Sequence, residues 1–273
     1  MSEGTHENPE RAARLAVRTD TMLGIDVVLI ASSPEPEAIM TPPIGSIHSP
    51  PVVQEATARS PLTPVSIDDS YFDSKASQET RLSKLEAHHQ CSCTFCAPNA
   101  SSRVLVFGEG SHDASLMFVG EAPGTEEERL GRPFVGRAGS KLDEMIKAMG
   151  LSREDVYITN ALKSRPPDTR VTESDDFEQC GAFLAAQARI IKPDVIVALG
   201  GPASKLLLKS DMGITSLRGR WAKYNDGEND VAIMPTFHPA YLLRNPTLEV
   251  RGQIWTDLQE VMKRLGLSPP SRT

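Results

Sequence analysis

Five consecutive apolar residues, Val195-Ile-Val-Ala-Leu199, run between Asp194 and the glycine pair Gly200-Gly201. The run is too short for a helix and has no polar face to leave in water. A strand of that kind is buried on both sides, as when helices cover both faces of a parallel sheet. Leu116–Val119, Val156–Thr159, Val231–Pro235 and Val104–Phe107 are its expected companions. Apolar residues recur at helical spacing over Gly139–Met149, Ser174–Ile191, Pro202–Leu208 and Glu249–Leu265, and Gly150 and Gly266 stand where helix C-terminal glycines belong. The alternation predicts an α/β fold: a three-layer α/β/α sandwich with a mostly parallel central sheet. Two expected strands run into turns that carry one ionisable side chain each, Glu121 in Gly120-Glu-Ala-Pro-Gly124 and His238 in Phe237-His-Pro-Ala-Tyr-Leu-Leu-Arg-Asn-Pro246. In one sheet these two would meet at its carboxyl edge, where open α/β sheets bind ligands.

The composition divides the chain. Residues 1–75 are acidic and proline-rich, with runs such as Ser33-Pro-Glu-Pro-Glu37. Such a stretch buries too little apolar area to offset its ordering entropy. We expect a flexible arm with a short helix over Glu10–Met22, followed by a folded domain at 76–273. The formal net charge of −7 sits wholly within the first 80 residues, so the folded part is neutral and its contacts depend on local patches. No apolar run approaches the ~20 residues of a membrane span, and no secretory signal opens the chain. A cytoplasmic location is expected. Three of the four cysteines crowd into Cys91, Cys93 and Cys96, which in such a protein reads as a metal or cluster site. Before them Leu82, Leu85 and His89 recur at helical spacing.

The motifs are similar to those of one family. Gly120-Glu-Ala-Pro-Gly-Thr-Glu-Glu-Glu128, Gly131-Arg-Pro-Phe-Val-Gly-Arg-Ala-Gly139, Val156-Tyr-Ile-Thr-Asn160, Lys163-Ser-Arg-Pro-Pro167 and the His238 segment occur in order. Together they resemble the family-4, iron–sulfur type of uracil-DNA glycosylase, from about Cys93 to Leu265. The resemblance implies a hydrolase that flips deoxyuridine out of DNA and cleaves its N-glycosidic bond, the first step of base-excision repair, with no lyase step. It makes His238 the donor that stabilises the departing uracil anion, and Glu121 and Glu127 the candidates for managing water or the sugar cation. Phe134 would stack on the base and Asn160 would read its edge, with Ala122, Gly124 and Thr169 alongside. Arg165, Arg170, Leu243 and Arg244 would face DNA, Leu243 as an apolar wedge beside a phosphate clamp. By residue type alone His238 also suits a helix cap, Asn160 a turn, and Glu126 and Glu128 the solvated start of a helix. The basic residues Arg132, Arg137, Lys141, Lys163, Arg218 and Arg220 fall in loops around these motifs and suit phosphate contact.

Two positions depart from the family pattern. Its 4Fe-4S cluster uses four thiolates. Cys93, Cys96 and Cys180 match three of them, and Ser164 stands at the fourth place. A hydroxyl ionises far less readily than a thiol. Cys91 could supply the missing thiolate, Ser164 or another ligand could fill the gap, or a zinc site could form with His88 or His89. Thr169 stands where the family usually has Asn, losing an amide's two-ended hydrogen bonding. Two further readings therefore stay open beside a monomeric enzyme acting on uracil-containing DNA. One is a catalytically weakened glycosylase-like protein that binds DNA or uracil; the other is a zinc-containing DNA-interaction protein.

Overall fold

The computed structural model describes residues 67–93, 104–166 and 174–268. The expected helix at Glu10–Met22 and nearly all of the arm lie outside them, as do Cys96, Thr169 and Arg170. The elements, in chain order, are α1 (Gln78–Ser92), β1 (Glu109–Gly110), β2 (Leu116–Gly120), α2 (Thr125–Leu130), α3 (Arg137–Ala148), β3 (Tyr157–Asn160), α4 (Ser174–Ile191) and β4 (Val195–Leu199). They continue with α5 (Gly201–Leu208), α6 (Ile214–Leu217), β5 (Ala222–Asn225), β6 (Asp230–Thr236), α7 (Pro239–Arg244) and α8 (Leu248–Arg264). The sheet has strand order β1-β3-β2-β4-β6-β5. Its four inner strands are parallel, and β1 and β5 pair antiparallel at the edges.

Period-two alternation sorts each inner strand onto two cores. Leu116, Phe118, Ile158, Val195, Val197 and Met234 face α3 and α8, where Leu142, Met145, Ile254 and Leu258 meet them. Met117, Val119, Tyr157, Ile196, Ala198 and Ile233 face the other way, onto Leu82 and Leu85 of α1 and Phe183, Leu184 and Ile190 of α4. This is the expected three-layer sandwich. Each fully buried large apolar side chain contributes about 1.5–3 kcal/mol. Helix α1 starts where the Ser77 side chain accepts from Thr80 N–H, and α8 where Thr247 accepts from Val250 N–H. Among the described residues no helix is long and apolar enough to cross a membrane.

The segment Val104–Phe107 is a correction. It forms no strand, and only Glu109–Gly110 joins the sheet. Its backbone is satisfied otherwise: Val106 N–H donates to Lys163 O, while Phe107 O accepts from Thr159 Oγ1 and Gln187 Nε2. Edge strand β5 escaped the sequence pattern because its short run alternates half-buried with exposed residues, polar ones included. Helix α7 was expected as a turn. Pro239 at its first position removes an N–H that would have no partner there anyway.

Lys163 is also a correction, because it lies within the protein rather than on a phosphate-facing loop. Its ammonium donates to Thr159 Oγ1 at 2.7 Å, Asn160 O at 2.6 Å and Gln187 Oε1 at 2.6 Å. A buried ammonium persists where its donors are met, and here three acceptors meet them behind the end of β3. Lys163→Met should strand these acceptors and lower unfolding free energy by about 2–4 kcal/mol, measured by urea denaturation.

Candidate active site

The parallel strands end together on one edge. Strand β2 stops at Gly120 and is followed by Glu121; β3 stops at Asn160; β4 leads into Gly200; β6 leads into Phe237-His238. Chain connections from β2 go to β3 on one side and on to β4 on the other, so this edge holds the topological switch point. A cavity of about 440 Å³ opens there, lined among others by Glu121, Gly200, Pro202, His238, Tyr241 and Arg244. Strand β4 separates β2 from β6, and Glu121 and His238 reach the cavity from either side of it.

His238 is the residue before α7, and its Nδ1 accepts from Ala240 N–H at 3.1 Å. The helix-cap reading and the site reading therefore describe one arrangement. With Nδ1 accepting, the neutral ring carries its proton on Nε2 and keeps that donor for a ligand. Burial, aided by the Arg244 guanidinium, pushes the imidazolium pKa down to about 4. Gly200 lets the ring close in, since a Cβ there would stand 2.9 Å from His238 Cβ. Glu121 is half-buried, and burial raises its pKa above the ordinary carboxylate value.

Phe134, Asn160 and His238 converge at the end of β2. The Phe134 and His238 rings lie 5.6 Å apart between centroids. A Cβ on Gly120 would fall 2.3 Å from Asn160 Oδ1 and 2.5 Å from Phe134 Cζ, so only glycine admits both side chains. Asn160 is buried and its Oδ1 has no hydrogen-bond partner among the described residues. Such an acceptor is costly to leave unmade and is free to read a donor brought by a ligand.

The Phe134 loop is held from outside the expected set. Phe134 has φ +51°, unusual for a bulky residue. Arg153, which sequence reasoning missed, donates to Pro133 O at 2.6 Å and Phe134 O at 3.0 Å while bonding Glu109 and Asp143. Its signal was only an arginine in a turn before β3, indistinguishable from solvated charge. Glu127 accepts from Gly124 N–H at 3.1 Å and from Val135 and Gly136 N–H at 2.9 Å each. Its carboxylate thus joins the start of α2 to the loop after Phe134. Gly124 is the residue before α2, and Ala122 packs on the second core.

The basic residues separate into two groups. Arg132 pairs with Glu109 at 2.7 Å, Lys141 with Glu144, and Arg165 with Glu128 at 3.6 Å. Arg218 binds the buried Asp257, which also accepts from Thr236 Oγ1 at 2.6 Å. Arg218 is therefore a structural clamp behind the β6 end, where its charge offsets part of the cost of burying Asp257. Arg137, Arg220 and Arg244 are exposed. Leu242 is buried in the core, while Leu243 is half-buried beside Arg244.

Of the expected metal ligands, Cys93 and Cys180 come together, with His89 as the third member of the group; their ligand atoms lie within 4.8 Å of one another. Cys91 is exposed and outside that group. It sits in the last turn of α1, two residues before Cys93, whose side chain turns inward. His88 packs against Tyr71 and Phe183. Ser164 is buried, and its Oγ has no hydrogen-bond partner among the described residues.

Residues 107–259 match the model of the uracil DNA glycosylase superfamily. The chain is 44% identical to the type-4 uracil-DNA glycosylase of Thermotoga maritima over 169 residues, 62% of this chain and 86% of that protein. It is 40% identical to the type-4 uracil-DNA glycosylase of Sulfurisphaera tokodaii, over 67% of this chain and 84% of that protein. For the Archaeoglobus fulgidus type-4 uracil-DNA glycosylase the identity is 37%, over 66% and 92% respectively.

Two outcomes follow from the geometry. The His238 ring protons should titrate near pH 4 by NMR, against the ordinary 6.5. Because the folded state disfavours the imidazolium, the stability tied to His238 should be intact above pH 6.5 and lost as pH falls toward about 4. Gly120→Ala should force Phe134 and Asn160 apart and cost about 1–3 kcal/mol, read as a lower urea midpoint.

Proposed function

The chain belongs to the uracil-DNA glycosylase superfamily, and on that premise we propose that it is a monofunctional uracil-DNA N-glycosylase that starts base-excision repair. The observation that carries the reading is the neutral His238, its Nε2–H left available, beside Phe134 and an Asn160 whose buried Oδ1 has no partner. That trio suits a flat base with alternating donors and acceptors on its edge.

The flipped deoxyuridine enters at the carboxyl edge of the sheet. Phe134 offers its ring to the base. Asn160 accepts from uracil N3–H through Oδ1 and donates to O4 through its amide nitrogen, a pairing cytosine reverses. The C1′–N1 bond breaks with its electron pair leaving on uracil, and His238 Nε2–H donates to O2 as negative charge grows there. A neutral donor keeps its proton and stabilises the anion by a hydrogen bond, the logic of an oxyanion hole. Glu121 faces the sugar: its carboxylate favours the cationic centre and takes a proton from the water whose oxygen bonds to C1′. Glu127 has a different task, since its oxygens are engaged by three backbone N–H groups. It positions the Phe134 loop. Arg244 at the cavity rim contacts phosphate, with Leu243 beside it entering the vacated stack; Arg165 and Arg170 are assigned to the DNA backbone and Thr169 to the substrate side by resemblance alone. We assign DNA as the partner, with the protein a cytoplasmic monomer in which the domain from residue 76 carries the activity.

The resemblance also implies a 4Fe-4S cluster, and the described donor set does not match one held by four thiolates. Ser164 replaces one of them, and Cys91 is exposed. Cys93 Sγ and Cys180 Sγ stand 3.7 Å apart, whereas a four-iron cluster puts each thiolate on its own iron and spreads the sulfurs further. No step of the reaction passes through a metal.

The reading is tested by release of free uracil from an oligonucleotide with a single deoxyuridine. The unmutated protein should release it, and His238→Ala should lower kcat roughly 10²–10³-fold while still binding the DNA. Binding of uracil-containing DNA without release by the unmutated protein would overturn the proposal. Asn160→Asp should weaken discrimination of uracil from cytosine, read as a changed ratio of kcat/KM for the two bases.

A further inference from the structure

We propose that His89, Cys93 and Cys180 form a single-ion zinc site, in which an imidazole joins the two thiolates. Two thiolates on one tetrahedral zinc, each at ~2.3 Å, stand ~3.8 Å apart, and a thiolate and an imidazole nitrogen ~3.6 Å apart. The observed separations are 3.7 Å for Cys93 Sγ to Cys180 Sγ and 3.9 Å for Cys180 Sγ to His89 Nε2. All three ligand atoms fall within 4.8 Å of one another, and all three residues are buried. At 3.7 Å the sulfurs are well beyond disulfide bonding distance.

His89 is placed for the task by α1. Leu82, Leu85 and His89 share its buried face, and Cys93 follows the helix with its N–H donating to His89 O at 3.1 Å. The ring is fixed edge-on by Phe183, with centroids 4.5 Å apart, and by Phe107 at 5.9 Å. Its Nδ1 is buried and has no hydrogen-bond partner among the described residues. Its Nε2 is the nitrogen turned to the thiols, 3.9 Å from Cys180 Sγ, within an aromatic surround where a polar group needs a partner. Zinc is the ion that this mixed nitrogen and sulfur set prefers, being borderline-soft and indifferent to redox state. The ion would clip the end of α1 to α4 across a long stretch of chain, adding its binding energy to folding. It lies on the face of the sheet that α1 and α4 cover, and it does not depend on the glycosylase reading.

The experiment uses the full chain, purified without oxygen and analysed for zinc, iron and sulfide, then titrated with Zn²⁺ and Co²⁺. The expected result is a colourless protein with about one zinc per chain. Its Co²⁺ form should show tetrahedral d–d bands and a thiolate charge-transfer band. His89→Ala should weaken Zn²⁺ binding at least about tenfold and alter the d–d bands. His89→Cys should restore binding with a stronger charge-transfer band, which separates ligand loss from misfolding. Brown protein with iron and sulfide whose absorbance survives His89→Ala would overturn the proposal. So would failure to bind either ion, or Zn²⁺ binding that His89→Ala leaves unchanged. Uracil release, assayed on the same preparations, reports separately on the glycosylase reading.

Discussion

The site depends on a bare piece of backbone at Gly120, the last residue of β2. Phe134 and Asn160 come from different elements and both occupy the space where a side chain would be, the nearer atom 2.3 Å from the position of a Cβ. This close approach sets the aromatic face and the amide side by side. It also carries a cost, because Phe134 must hold φ +51°, a conformation worth about 1–3 kcal/mol of strain. Gly139 leaves room for the Phe134 carbonyl, where a Cβ would stand 1.9 Å from its oxygen. Arg153 then binds that carbonyl, and Glu127 binds the two N–H groups that follow. The loop is over-determined, which is how a strained conformation persists.

Electrostatics divides the acids and bases of this edge by environment. Glu121 and Glu127 are six residues apart, yet one lines the cavity and the other accepts from three backbone N–H groups. The first opens onto the cavity and the second braces the backbone around Phe134. His238 is kept neutral by burial and by Arg244, and its tautomer is set by the first turn of α7. The same turn thus fixes both the position of the ring and which nitrogen carries its proton. Behind the edge, Lys163 and Asp257 are buried charges that tie the ends of β3 and β6 to the helices. Each has several partners, as a charge removed from water requires.

Much of this was legible in the chain. The apolar runs marked four strands of the sheet, because burial on both faces leaves a local signature of unbroken hydrophobicity. The motifs at Glu121, Phe134, Asn160 and His238 pointed to one edge, because strand ends are local features too. The edge strand β5 and the strand that Val104–Phe107 does not form were less visible. Strand β5 pairs in a hairpin with nearby β6, but its short half-polar run carries no strand signature; the groups that satisfy the backbone of Val104–Phe107 come from far along the chain. Side chain Gln187, for example, bonds Phe107 O from 80 residues away.

The sequence by itself determined the layers, the edge and the residue types gathered there, since periodicity and turn chemistry act over a few residues. Only the tertiary structure decided what each charge does. Arg153 meets Glu109 across 44 residues, and Cys180 meets His89 across 91. Lys163 and Arg218 look like surface cations in the chain and are internal clamps in the fold. Cys91 looks like a ligand and is exposed, while His89, a buried position on a helix face, stands with the thiols. The physical reason is that a charge or a metal ligand takes its meaning from what surrounds it in space, and those surroundings are assembled only when distant segments pack.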